Sequence, residues 1–176
     1  SAIEGVLRLK TANAISHEDV TAIHLSVPES ALSMCNIQDP KTGLEGKFSL
    51  RFTSALALAT DDTSEAAFTD AAVREASLRT LLQRVSVSGT AESIGGTEVA
   101  IQLNDGRVLT EKVDVNTPAT DLELQWSRLA AKFSGLAAPI VGERAAAAIC
   151  ETVAQLERLP DASELVERCN SKSLAV

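Results

Sequence analysis

Between Leu44 and Ala59 the chain reads Leu-Glu-Gly-Lys-Phe-Ser-Leu-Arg-Phe-Thr-Ser-Ala-Leu-Ala-Leu-Ala, and no other stretch restricts the fold as much. Phe48, Phe52, Ala55, Leu56 and Ala59 recur at helical spacing and define one broad apolar face. Leu50, Ala57 and Leu58 make most of the opposite side apolar too. This helix is therefore expected to be covered by other elements. Thr42, followed three residues later by Glu45, fits a capping box in which hydroxyl and carboxylate each take an orphan backbone donor. Only Lys47, Arg51 and Ser54 leave a polar stripe, at i, i+4 and i+7. Cations beside the positive N-terminus of a helix gather an anion. A substrate is expected there.

The flanking segments can be read in order. Residues 2 to 14 form a helix with Ile3, Val6, Leu7 and Ala14 inward and Arg8 outward. Ser16 to Asp19 is a turn. Val20 to Val27 alternates as a strand with Ile23, Leu25 and Val27 on one face and Ala22, His24 and Ser26 on the other, ended by Pro28. A short helix over Ser30 to Asn36 and a loop from Asp39 lead into the apolar helix, which stops near Thr60. Ser64 to Thr69 gives one helical turn, and Asp70 caps a helix through Arg84 on the stripe of Leu78, Leu81, Leu82 and Val85. Val85 and Val87 begin a second strand. After Gly95-Gly96, Val99, Ile101 and Leu103 alternate to Asp105-Gly106, and Val108 to Val115 returns. Asp-Gly between alternating runs signals a hairpin whose two turn residues take positive φ.

The fold class that follows is α+β: about four strands, mostly antiparallel, with helices packed on one face, followed by an all-helical C-terminal segment. Asn116-Thr117-Pro118 marks the break, giving domains of 1–115 and 116–176. Beyond it, Leu122, Trp126, Leu129, Phe133 and Leu136 form one stripe, which Pro139 interrupts. Val141, Ala145, Ala148, Ile149, Thr152, Val153, Leu156 and Leu159 form a second. A third helix runs from Ala162 to about Cys169, and the tail from Asn170 frays. These faces have little sheet left to cover them, so exposed apolar surface or oligomer contacts are expected.

With 16 basic and 24 acidic residues the chain carries a net charge of −8, which argues against nucleic acid as a partner. No apolar run reaches the ~20 residues that span a bilayer, so no membrane partner is expected. Cys35, Cys150 and Cys169 are widely spaced, with neither an even count nor ligand spacing, which reads as reduced thiols in a cytoplasmic protein. The first residue is Ser, which reads as a processed or engineered cut.

Leu44 to Phe52 resembles the Glu-Ala-(Lys/Gln)-Phe-Ser-(Leu)-x-Tyr segment of the MmgE/PrpD family, which includes 2-methylcitrate dehydratase, cis-aconitate decarboxylase and iminodisuccinate epimerase. The flanking pieces are similar in order: Glu18-Asp19-Val20 with Ile23 into a strand ending Val27-Pro28, then Cys35, then the Asn104 to Arg107 hairpin and Lys132-Phe133. The resemblance spans roughly residues 1 to 157 and implies that the chain is only the C-terminal part of such a protein. It further implies metal-free acid–base chemistry on a small di- or tricarboxylic acid, no cofactor, and a homodimer. In that family a Lys…Cys…His segment just before the first helix and further His, Asp and Lys residues of a helical half supply catalysis. None of these maps onto this sequence.

Such chemistry needs a base, an acid and cations that hold carboxylates. The chain offers two histidines, His17 in a turn and His24 in a strand. His17 reads as a solvated turn residue. His24 points away from the core face, either exposed on the open side of the sheet or turned toward a partner domain. No Ser-His-Asp or Cys-His arrangement can be assembled, and no His or Cys pair has metal-ligand spacing. No catalytic residue or metal ligand is therefore assigned. The substrate-binding candidates are Lys47, Ser49 and Arg51, which either face a substrate cleft or lie in a solvated first turn. Glu45 reads as a helix cap rather than a catalytic acid, and Phe52 stands where many relatives carry Tyr. Gly95-Gly96 is a turn, not a phosphate cradle. Two functions follow: the C-terminal fragment of a lyase or isomerase of 2-methylcitrate dehydratase type, inactive when isolated, or a stand-alone binding or oligomerisation module without chemistry.

Overall fold

A computed structural model of the protein describes residues 1–91 and 95–170. The chain divides into two compact units, Ser1–Pro118 and Ala119 onward; the sequence places the break at Val115/Asn116.

The first unit is built on one sheet. Strands β1 (Val20–Pro28), β2 (Val85–Thr90), β3 (Thr97–Leu103) and β4 (Val108–Val113) lie in the order β2-β1-β3-β4. β1 and β2 are parallel, with His24 beside Ser86. The long crossover between them carries the helices, as a parallel pair requires. β1–β3 and β3–β4 are antiparallel, so the sheet is mixed. At the β3–β4 hairpin only Gly106 has positive φ, +86°. Asp105 therefore departs from the expected pair of left-handed residues. The Gly106 N–H reaches Leu103 O at 3.1 Å, the arrangement of a type I turn closed by a left-handed glycine.

The period-two pattern sorts the sheet into two faces. Ile23, Leu25 and Val27 of β1 and Val99, Ile101 and Leu103 of β3 are buried, while His24, Ser86, Thr110 and Lys112 on the opposite face are exposed. Helices cover the buried face. Helix α1 (Ala2–Asn13) packs against β3 and β4, and Gly5 allows the approach, since a Cβ there would lie 2.6 Å from Val99 Cγ2. α1 buries Ala2, Gly5, Val6 and Leu9; Ala14, expected inward, is exposed and takes φ 50° as its left-handed cap. Helix α2 (Glu29–Cys35) follows β1 directly and lies over Gly89 of β2.

The expected single helix from Leu44 to Ala59 is instead two, α3 (Gly43–Lys47) and α4 (Leu50–Ala59). The break turns Phe48 out of the apolar face, and it is exposed. α4 is nearly all buried, with Phe52, Ala55, Ala57 and Leu58 at the centre of the core. Ser54, expected on the polar stripe, is also fully buried. The helix expected from Asp70 to Arg84 is likewise two, α5 (Asp70–Arg74), capped by the Thr69 hydroxyl rather than by Asp70, and α6 (Ala76–Leu82).

The second unit contains α7 (Leu122–Val141), α8 (Glu143–Ala154) and α9 (Ser163–Cys169). α7 runs through Pro139 and ends at Gly142, φ +87°, so the proline costs the helix one internal hydrogen bond without stopping it. α8 buries Ala145, Ala146, Ile149 and Thr152. Leu122, Trp126, Leu129, Leu136 and Ile140 of α7 are exposed, as the sequence leads one to expect of helices without sheet cover. Fraying of the tail beyond Asn170 lies outside the described residues. Among the described residues no helix is long and apolar enough to cross a membrane.

Candidate functional site

The segment from Asn36 to Phe52 is held at many points. Thr42 Oγ1 accepts from the Glu45 N–H at 3.2 Å, the first half of the expected capping box. The Glu45 carboxylate reaches one residue further back than expected, accepting from the Lys41 N–H at 2.6 Å. Asp70 Oδ1 accepts from the Gly43 N–H at 2.8 Å and so ties the start of α3 to α5. Gly43 is required here, because a Cβ would lie 2.2 Å from Phe68 O. The Asp39 carboxyl, bonded to Lys41 and Arg79, is held below its ordinary range by those two cations.

At the break, Asn36 and Ser49 form an antiparallel bridge, and the Ile37 N–H donates to Phe48 O at 3.1 Å. Ser49 is fully buried, and its hydroxyl accepts from the Phe52 N–H at 3.1 Å. It is the N-cap of α4. Phe52 is fully buried and meets the Phe68 ring edge-on at 6.2 Å. Gly46 makes room for it, since a Cβ would lie 2.9 Å from Phe52 Cδ1.

The two cations of the segment differ in their surroundings. Both are half-buried. Lys47 forms an ion pair with Glu65. Arg51 donates from Nη1 to Asn36 Oδ1 at 2.8 Å, and no carboxylate among the described residues pairs with it. Its charge is thus held by a neutral oxygen, and Nε and Nη2 have no hydrogen-bond partner among those residues. A guanidinium in that condition offers a ready bidentate seat for a carboxylate. Asn36 was not legible as a member of this site, because nothing in an asparagine fifteen residues upstream signals the contact. A cavity of about 330 Å³ lies close by, lined by Ala2, Ala31, Met34, Cys35, Leu50 and Thr97 among others, but not by Lys47, Ser49 or Arg51.

The histidines lie elsewhere. His17 is exposed in a short 3₁₀ turn whose cap is a reciprocal Ser16–Asp19 box. His24 is on the open face of the sheet, with Nδ1 2.9 Å from Ser86 Oγ and Nε2 3.0 Å from Ser88 Oγ. The Ser86 hydroxyl donates to Ile23 O at 3.3 Å. α4 packs on the other side of the sheet, so His24 and Arg51 are separated by the sheet itself. Among the described residues no cluster of three or more His, Cys, Asp or Glu could hold a metal ion.

A mixed four-stranded sheet with helices on one face, followed by a helical unit, defines the class as an α+β domain with a helical extension. The sequence profile of the MmgE/PrpD C-terminal domain matches residues 1–158, so the chain belongs to the MmgE/PrpD family and carries its C-terminal domain. No curated protein matches the chain.

Proposed function

We propose that the chain is the C-terminal portion of a metal-independent lyase or isomerase of 2-methylcitrate dehydratase type, acting on a small di- or tricarboxylic acid. In isolation it holds a substrate carboxylate without turning the substrate over. The observation that carries this reading is Arg51, a half-buried guanidinium bonded only to a neutral amide oxygen among the described residues. Lys47, whose partner Glu65 is exposed, supplies a second cation when a more highly charged anion displaces that carboxylate. Ser49 acts from beneath, fixing the start of the helix that presents Arg51. Proton transfer then falls to groups outside this chain, since the sheet separates His24 from Arg51. The assembled protein is read as a cytoplasmic homodimer, with the exposed apolar residues of α7 covered by the helical half of the same protein.

Isothermal titration with tricarballylate, an inert tricarboxylic acid, tests the reading. The chain binds it and Arg51→Gln weakens binding by about tenfold or more, in line with the loss of a charge-assisted hydrogen bond. Equal affinity of both proteins would sink the assignment.

The rival reading, a stand-alone binding or oligomerisation module, is favoured by the exposed apolar stripe of α7 alone. The reading frame upstream separates the two: about 250 further in-frame residues, the size of a second large domain, belong to the enzyme and not to the module.

A further inference from the structure

We propose that Asn36 is a positioning residue that decides which edge of the Arg51 guanidinium meets a substrate carboxylate; the proposal rests on the reading of Arg51 as the anchor. Asn36 is itself fixed. Its main chain bridges to Ser49, and the adjoining Ile37 N–H bonds to Phe48 O at 3.1 Å, which locks the residue to the break between α3 and α4. From there its Oδ1 accepts from Arg51 Nη1 at 2.8 Å in a part-buried contact.

Three consequences follow from the chemistry of the pair. An amide oxygen orients a guanidinium without neutralising it, so the full positive charge stays available; an aspartate at the same position would consume it. With Nη1 held, the edge formed by Nε–H and Nη2–H is the one left to the ligand, and these parallel donors match the two oxygens of one carboxylate. The long arginine side chain is also already ordered, so less rotamer freedom is lost when the anion arrives. Lys47 shows the contrast, because its partner is the carboxylate of Glu65, with which any anion must compete.

The test combines tricarballylate titration of the whole chain with ¹⁵N NMR of the Arg51 Nε–Hε group, for wild type, Asn36→Ala, Asn36→Asp and Arg51→Gln. In the wild type the Arg51 signal is resolved and moves downfield as tricarballylate binds. Asn36→Ala collapses that signal toward the value of a free arginine and weakens binding by about tenfold. Asn36→Asp is nearly isosteric; it keeps the signal resolved yet weakens binding at least as much, because the new carboxylate occupies the charge. A merely structural asparagine would alter melting temperature and leave both the signal and the affinity of the folded protein alone. If Arg51→Gln abolishes binding while both Asn36 variants bind like wild type, the positioning role is overturned and the anchor stands. Absence of binding by the wild type overturns the anchor and the positioning role together. Should Asn36→Ala fail to fold, Asn36→Asp decides alone: unchanged affinity contradicts the proposal.

Discussion

Ser54 sits in the middle of α4, fully buried, and its hydroxyl has no hydrogen-bond partner among the described residues. A buried polar group in that state costs stability that an apolar side chain would not. Ser54→Ala is therefore expected to leave stability unchanged or raise it by up to about 1 kcal/mol. Urea denaturation measures this; a loss greater than about 1 kcal/mol would show that the hydroxyl has a partner in solution. Ser54 also shows how far a residue pattern can be read. It falls at i+7 from Lys47, where a continuous helix would have placed it on the same stripe. Because the helix breaks between them, Lys47 stays at the surface and Ser54 enters the core. Arg51 was legible as a cation at the start of the helix, whereas its asparagine partner was not, since that contact is made by the fold and not by local spacing.

The break between α3 and α4 is the element on which the candidate site depends. Apolar periodicity runs unbroken through Phe48 and Phe52 and hides it. The one local sign was Ser49 three residues before Phe52, a capping distance inside an apolar run, and the stronger hydrophobic pattern masked it. The strands were more legible, because alternation and the Asp105-Gly106 turn are local signals. The parallel β1–β2 pair is a property of the long crossover, which no local signal carries. Ser49→Ala removes the cap and leaves the Phe52 N–H unpaired in the core, at a cost of about 1–2 kcal/mol. It should also loosen the Asn36–Ser49 bridge and lower tricarballylate affinity alongside stability. Thermal melts and titration measured together check this, and an unchanged melting temperature would mean that α4 starts without Ser49.

At the scale of the whole molecule the two units contrast in how much they bury. The main core cluster is drawn entirely from residues of the first unit, from α1 to β3. The second unit buries Ala145, Ala146, Ile149 and Thr152 of α8 and leaves Leu122, Trp126, Leu129, Leu136 and Ile140 of α7 exposed. Sequence periodicity made both visible: the sheet unit has enough alternating and helical faces to cover one another, and the terminal helices do not. Within the first unit the polar groups are divided in turn between the two sides of the sheet. Arg51, which has no carboxylate partner among the described residues, lies on one side, and His24 meets Ser86 and Ser88 on the other. Under the proposed function the chain anchors a substrate carboxylate, and proton transfer falls to groups outside it. The most direct measurement is turnover by the isolated 176-residue chain on methylcitrate-like and aconitate-like acids, followed by the ultraviolet absorbance of the unsaturated acid. No turnover above the uncatalysed rate is expected; dehydration or decarboxylation at the rate of an intact enzyme would contradict the account.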